Sequence, residues 1–184
     1  MSEQELRKIV TNILEVLEKS GYLKEATTDV VVSKRQAYVL CEVNKEKEFL
    51  EFLRENKLSG DIQVTAIMED NNDEVIDALV QEQLCHTIAG IDAQADKNIT
   101  LSIYPTMKRS ALCEAGLGMD NEFTAMWIRK DMEMGRKSVI LVGGMEPFTG
   151  MEPAFYRELI LSYVKNLMRM DVKFVESIKN IEDL

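Results

Sequence analysis

The sequence predicts an α/β protein, a Rossmann-like, mostly parallel sheet with helices on both faces, preceded by an N-terminal amphipathic helix. Three observations predict it. Short β-prone runs alternate with amphipathic helical segments along the chain, the pattern of strands joined by right-handed crossovers. One run, Ser138–Val142 (SVILV), is nearly all apolar, as a strand covered on both faces should be. With 184 residues of which 46% are hydrophobic, there is enough apolar matter to bury the core of one domain.

Taken in order, residues 3–19 place Leu6, Ile9, Val10, Ile13 and Leu17 three and four apart, with charges between them. This is an amphipathic helix closed by Ser20-Gly21. It packs on its own domain, across a dimer, or in the groove of a partner. Its unit is set at 1–23, the Rossmann-type domain at 29–176 and an acidic tail at 177–184. Asp29–Ser33 and Ala37–Cys41 are β-prone runs that form either a hairpin or an edge piece and a central strand. Lys45–Asn56 reads as a helix, Ile62–Met68 as a strand, and Asp70–Asp73 as a turn and cap cluster. Glu74–His86 reads as a helix with Val75, Ile76, Leu79, Val80 and Leu84 inside, and 90–97 as a loop. Ile99–Ile103 is a strand, and Met107–Leu117 and Asn121–Met134 are helices, the latter stopped by Gly135. Gly143-Gly144 ends the apolar strand. A loop with Pro147, Gly150 and Pro153 leads to a long helix, Ala154–Met170, and a last strand, Val172–Val175.

Charge and motifs exclude several functions. The net charge of -10 and an isoelectric point near 4.7 oppose nucleic-acid binding, which needs a basic face. No apolar run approaches the roughly 18 residues of a membrane span. Three widely spaced cysteines read as reduced thiols of a cytosolic protein. The one G-x-G, Gly116-Leu117-Gly118, closes a helix and is no dinucleotide fingerprint. There is no phosphate-loop lysine motif and no G-x-S-x-G elbow. His86, the sole histidine, follows Cys85 directly. Neighbours on a helix face apart, so His86 reads as a plain helix-face residue and no metal site is expected. Cys113 reads as an inert packed thiol. The cluster Glu69, Asp70, Asp73 and Glu74 suits a helix N-terminus.

The strongest functional candidate is the turn after Ile99–Ile103. It places Thr106, Lys108, Arg109 and Ser110 where a strand meets a helix N-terminus, whose free N–H groups and dipole favour an anion. Cations there oppose the dipole unless an anion is near. Parallel sheets bind ligands beyond the strand carboxyl ends, where loops 42–45, 104–110 and 143–150 emerge.

The run Tyr104–Asn121 (YPTMKRSALCEAGLGMDN) resembles the homo-oligomeric flavin-containing cysteine decarboxylase family, whose signature is P-A-[ST]-A-N-T, a helix, then G-[IL]-x-D-N. Gly143-Gly144-Met145-Glu146 sits where the decarboxylases carry P-A-M-N. Phe155–Val175 is similar to flavoprotein-like proteins of ethanolamine and propanediol microcompartment loci, which also begin with an amphipathic helix. The resemblance spans about residues 36–175 and implies FMN held between subunits of trimers or their multiples. It also implies ligand contacts from Thr106, Lys108, Arg109, Ser110, Asp120, Asn121 and Met145, and a microcompartment shell or enzyme partner for the N-terminal helix. The chain departs from the pattern at Arg109, where the family has Asn, and at Ser110, where it has Thr. It lacks the decarboxylase histidine, and it carries Cys41-Glu42-Val43-Asn44-Lys45 in place of a Gly–Ser or Gly–Thr phosphate turn. Glu42 would repel a phosphate if it points into the site. The alternative implied by these departures is a non-catalytic assembly protein that has lost the cofactor.

Overall fold

A computed structural model describes residues 35–58, 62–94 and 96–178. The expected N-terminal helix, the run Asp29–Ser33 and the end of the acidic tail lie outside the described residues.

Six parallel strands form one sheet in the order β3-β2-β1-β4-β5-β6. They are β1 (Gln36–Cys41), β2 (Gln63–Met68), β3 (Thr87–Gly90), β4 (Leu101–Tyr104), β5 (Lys137–Leu141) and β6 (Lys173–Val175). The connecting helices are α1 (Glu46–Asn56), α2 (Asp73–Gln81), α3 (Arg109–Leu117), α4 (Phe123–Met134) and α5 (Ala154–Arg169). The expected parallel α/β architecture is therefore present. Strand order reverses between β1 and β4, so the loops after these two strands diverge and leave a crevice at their carboxyl ends.

Two apolar layers cover the sheet. One packs Phe49, Phe52 and Leu53 of α1 and Val75 and Leu79 of α2 on Val39, Val64, Ala66 and Ile103. The other packs α3, α4 and α5 around Trp127, which is fully buried edge-on to Tyr38. α3 lies tight on α5. A Cβ on Gly116 would fall 2.6 Å from Tyr163 Cβ, and Asn166 donates to the Gly116 carbonyl. Gly118, at φ +75°, then closes α3. The G-x-G thus serves a helix contact and a left-handed stop.

The segment after α2 departs from the sequence expectation. The helix stops at Gln81. Gln83 takes φ 53°, and the Leu84 N–H turns back to the Leu79 carbonyl. Cys85-His86 then lead into β3 and are not on a helix. The His86 N–H donates to the Val64 carbonyl, and its Nδ1 accepts from the Val64 N–H at 3.1 Å. His86 therefore pins the start of the β2–β3 ladder. The run TIAG is too short and too mixed for a strand period to stand out.

Candidate functional site

The site is built at the strand-order reversal. β1 delivers Glu42 directly after its last residue, and β4 delivers Thr106 two residues after its own. Glu42 is only 2% exposed. Its carboxylate accepts from Thr124 Oγ1 at 2.6 Å, Thr106 Oγ1 at 3.1 Å and, more weakly, the Lys108 N–H at 3.4 Å. Lys108 is the N-cap of α3, and its side chain makes no cap hydrogen bond. A distant glutamate thus meets the N-cap N–H, the donor that a Glu within the helix takes in a capping box. Thr124 comes from the first turn of α4, whose start is held by Glu114 accepting from the Asn121 and Glu122 N–H groups.

Two further carboxylates complete the pattern. Glu69, after β2, accepts from the Val43 N–H at 2.7 Å and from Lys108 Nζ at 3.5 Å. Glu146 accepts from the Arg109 N–H at 3.2 Å. The Val43, Lys108 and Arg109 N–H groups are therefore each met by a glutamate carboxylate. Asn44, at φ 64°, makes the turn that lets the Val43 N–H face Glu69. This corrects the reading of Glu69 as part of the α2 start. There Asn72 accepts from the Glu74 and Val75 N–H groups and is the cap.

Arg109 serves the loop after β5. Its guanidinium donates to the Pro147 carbonyl at 2.8 Å, pairs with Glu152 at 3.6 Å, and lies over the rings of Phe148 and Tyr156 at 5.1 and 5.9 Å. Glu152 also accepts from the Thr149 and Gly150 N–H groups, and these bonds hold its carboxyl down at about 2. Met145 is tied to the crevice through the backbone. It bridges Met107, whose N–H donates to the Gly144 carbonyl. Gly144 is required there, because a Cβ would fall 1.7 Å from the Pro105 carbonyl oxygen.

Of the seven expected ligand residues, Thr106, Lys108, Arg109 and Met145 converge around the α3 N-terminus. Ser110 is exposed in the first turn of α3. Asp120 pairs with Arg129 of α4, and Asn121 sits against Glu114. Glu42 was legible as a departure, and its direction into the site is now plain. Glu146 falls in the Gly143–Glu146 stretch of the resemblance, and neither it nor Thr124 was among the expected ligand residues. Beside the crevice, a cavity of about 290 Å³ is lined by Glu48, Glu51, Glu55, Pro105, Gly144 and Glu176 among others, a surface unsuited to anions. Among the described residues, no three His, Cys, Asp or Glu side chains gather as a metal site, and no helix is long and apolar enough to cross a membrane.

No protein-family model and no curated protein matches this sequence. Solved structures do match in fold. DmrB from Burkholderia xenovorans, described as a cubic protein cage for redox transfer, is 13% identical with a TM-score of 0.54, over 82% of this chain and 92% of its own. The epidermin biosynthesis protein EpiD from Staphylococcus aureus is 12% identical, TM-score 0.53, over 77% and 81%. A dodecameric FMN-dependent UbiX-like decarboxylase from Escherichia coli O157:H7 is 12% identical, TM-score 0.52, over 80% and 81%. At these identities the likeness establishes the shared fold.

Proposed function

We propose that this chain is a flavoprotein-like binding protein whose crevice between the carboxyl ends of β1 and β4 takes FMN or another phosphorylated ligand. One observation carries the reading: two hydroxyls, from the turn after β4 and from the first turn of α4, and the N-cap N–H of α3 already surround the Glu42 carboxylate. Donors arranged for a carboxylate are also suited to a phosphate. FMN is the first candidate because the fold is shared with an FMN-dependent decarboxylase. Thr106, Lys108, Arg109 and Ser110 would face the phosphate, with Asp120, Asn121 and Met145 lining the crevice. As placed, however, the side chains do not fit a phosphate at that spot, since Glu42 takes the donors it would need. No redox or decarboxylation step follows from this arrangement. Titrating FMN into the purified chain, followed by flavin fluorescence, should give saturable binding that an Arg109→Ala, Ser110→Ala variant weakens. Absence of binding at large FMN excess would refute the reading, and unchanged binding in the variant would move the site.

Self-association, as a trimer or a multiple of it, belongs to the same proposal. The E. coli neighbour is a dodecamer and DmrB a cage, and this chain exposes Met151 and Phe155 to 89% and 76%, apolar surface that a subunit contact would cover.

A second reading, favoured by Glu42 itself, is a non-catalytic assembly protein of a metabolic microcompartment that kept the fold and lost the cofactor. Residues 1–20 would then engage a shell or enzyme partner. Deleting them should abolish co-assembly while the remaining chain stays folded by circular dichroism. Unchanged co-assembly would sink this version.

A further inference from the structure

We infer that Glu42 is the residue that sets what the crevice admits: its carboxylate is a built-in anion that competes with the phosphate of any ligand for the α3 N-terminus. This rests on the reading of the crevice as a binding site. The three donors to Glu42 come from three places, the turn after β4, the N-cap of α3 and the first turn of α4. The carboxylate is only 2% exposed, so it is a packed part of the site and not a surface charge that swings freely. A phosphate on the same donors would meet Glu42 directly and Glu69 close by, since both carboxylates contact Lys108, one at its N–H and the other at its Nζ. Like charges at such separations disfavour one another strongly away from bulk water. Lys108 Nζ is already paired with Glu69. Arg109 is committed to Pro147 and Glu152. None of the ion pairs among the described residues involves Glu42.

The crevice of the wild-type chain therefore discriminates little in favour of phosphorylated over unphosphorylated forms of one ligand. Removing the Glu42 charge frees hydroxyl and N–H donors at a helix N-terminus and restores that discrimination.

The test is calorimetric titration of riboflavin, FMN and inorganic phosphate into the full-length wild-type, Glu42→Ala and Glu42→Gln proteins, with thermal melts to show that each is folded. Wild type should bind FMN no more than about threefold tighter than riboflavin. Glu42→Ala should bind FMN at least about tenfold tighter than wild type does, with riboflavin changed less than twofold. Glu42→Gln, which keeps the shape and loses the charge, should move in the same direction by a smaller factor and carries the test if the alanine variant does not fold. A wild-type preference for FMN of tenfold or more, or FMN binding unchanged or weakened in the folded variants, overturns the inference. If neither flavin binds any of the three proteins, the flavin reading falls, and inorganic phosphate decides the matter alone. Phosphate binding in the variants and not in wild type supports the role of Glu42, and phosphate binding in none of them refutes it.

Discussion

Among the described residues two carboxylates, Glu42 and Asp131, lie buried, and their surroundings differ in a way that separates structure from function. Asp131 of α4 is fully buried under β4 and β5. It accepts from Ser102 and Ser138 Oγ at 2.8 Å, from the Tyr104 hydroxyl at 2.5 Å and from Arg136 Nη1 at 2.7 Å. Burial pushes its carboxyl up, and the hydrogen bonds from Tyr104, Ser138 and Ser102 with the Arg136 charge oppose that rise. Burial likewise raises the Tyr104 hydroxyl, with the Asp131 charge adding to it. Arg136 continues outward to the Ile99 and Asp96 carbonyls, so the network fastens the segment before β4 to α4. Glu42 has hydroxyls and one N–H as partners, no ion pair among the described residues, and a position at the strand-order reversal. Asp131 is compensated by a buried cation and closed to ligands. Glu42 is compensated by donors that a ligand could take over.

This contrast can be broken by experiment. The largest effect is expected from Asp131→Asn, which leaves Arg136 buried without its anion. It should lower stability by about 3–5 kcal/mol in denaturant unfolding. Glu42→Gln, removing hydrogen bonds to a charged group but no ion pair, should cost only about 1–3 kcal/mol. Equal losses for the two would show that Glu42 is as structural as Asp131. Flavin affinity should be unmoved in folded Asp131→Asn.

The smallest effect concerns the loop that Arg109 holds. The Glu152 carboxyl is held down at about 2 in the folded chain against 4.5 ordinarily, first through the Thr149 amide, with its own amide, the Thr149 hydroxyl and the Gly150 amide adding to it. A lowered carboxyl contributes stability that is complete above about 4.5 and is lost as pH falls through about 2. Amide hydrogen exchange at Thr149 and Gly150 should therefore quicken, relative to residues elsewhere, as pH falls through this window. Exchange that keeps pace with the Asp131 network throughout would show that the loop does not depend on that carboxylate.

The residues that were legible in the sequence share one property: their role is local. Thr106, Lys108 and Arg109 were readable as a helix-entry turn because strand, turn and helix follow within a dozen residues. Gly118 and Gly135 were readable as stops, and both take positive φ. The helix expected over 74–86 forms but ends at Gln81, because its last third carries apolar residues that suit a helix face as well as a connection into a strand. The left-handed turn at Gln83, with no glycine to announce it, decided between them. Arg109 was readable as a cation at a helix start but not as the fastening of the loop after β5, because its partners follow about forty residues later.

What the sequence by itself determined is the architecture, since alternation of strand and helix periods, a nearly all-apolar strand and glycine stops are local signals that the sheet only had to assemble. It also marked the turn at Thr106–Ser110 as the place suited to an anion. Only the tertiary structure decided which anion is there. Glu42 lies 64, 66 and 82 residues from its three donors, and no spacing rule reaches that far. Packing β1 beside β4 at the strand-order reversal brings them together, and once packed, a buried carboxylate must be hydrogen-bonded.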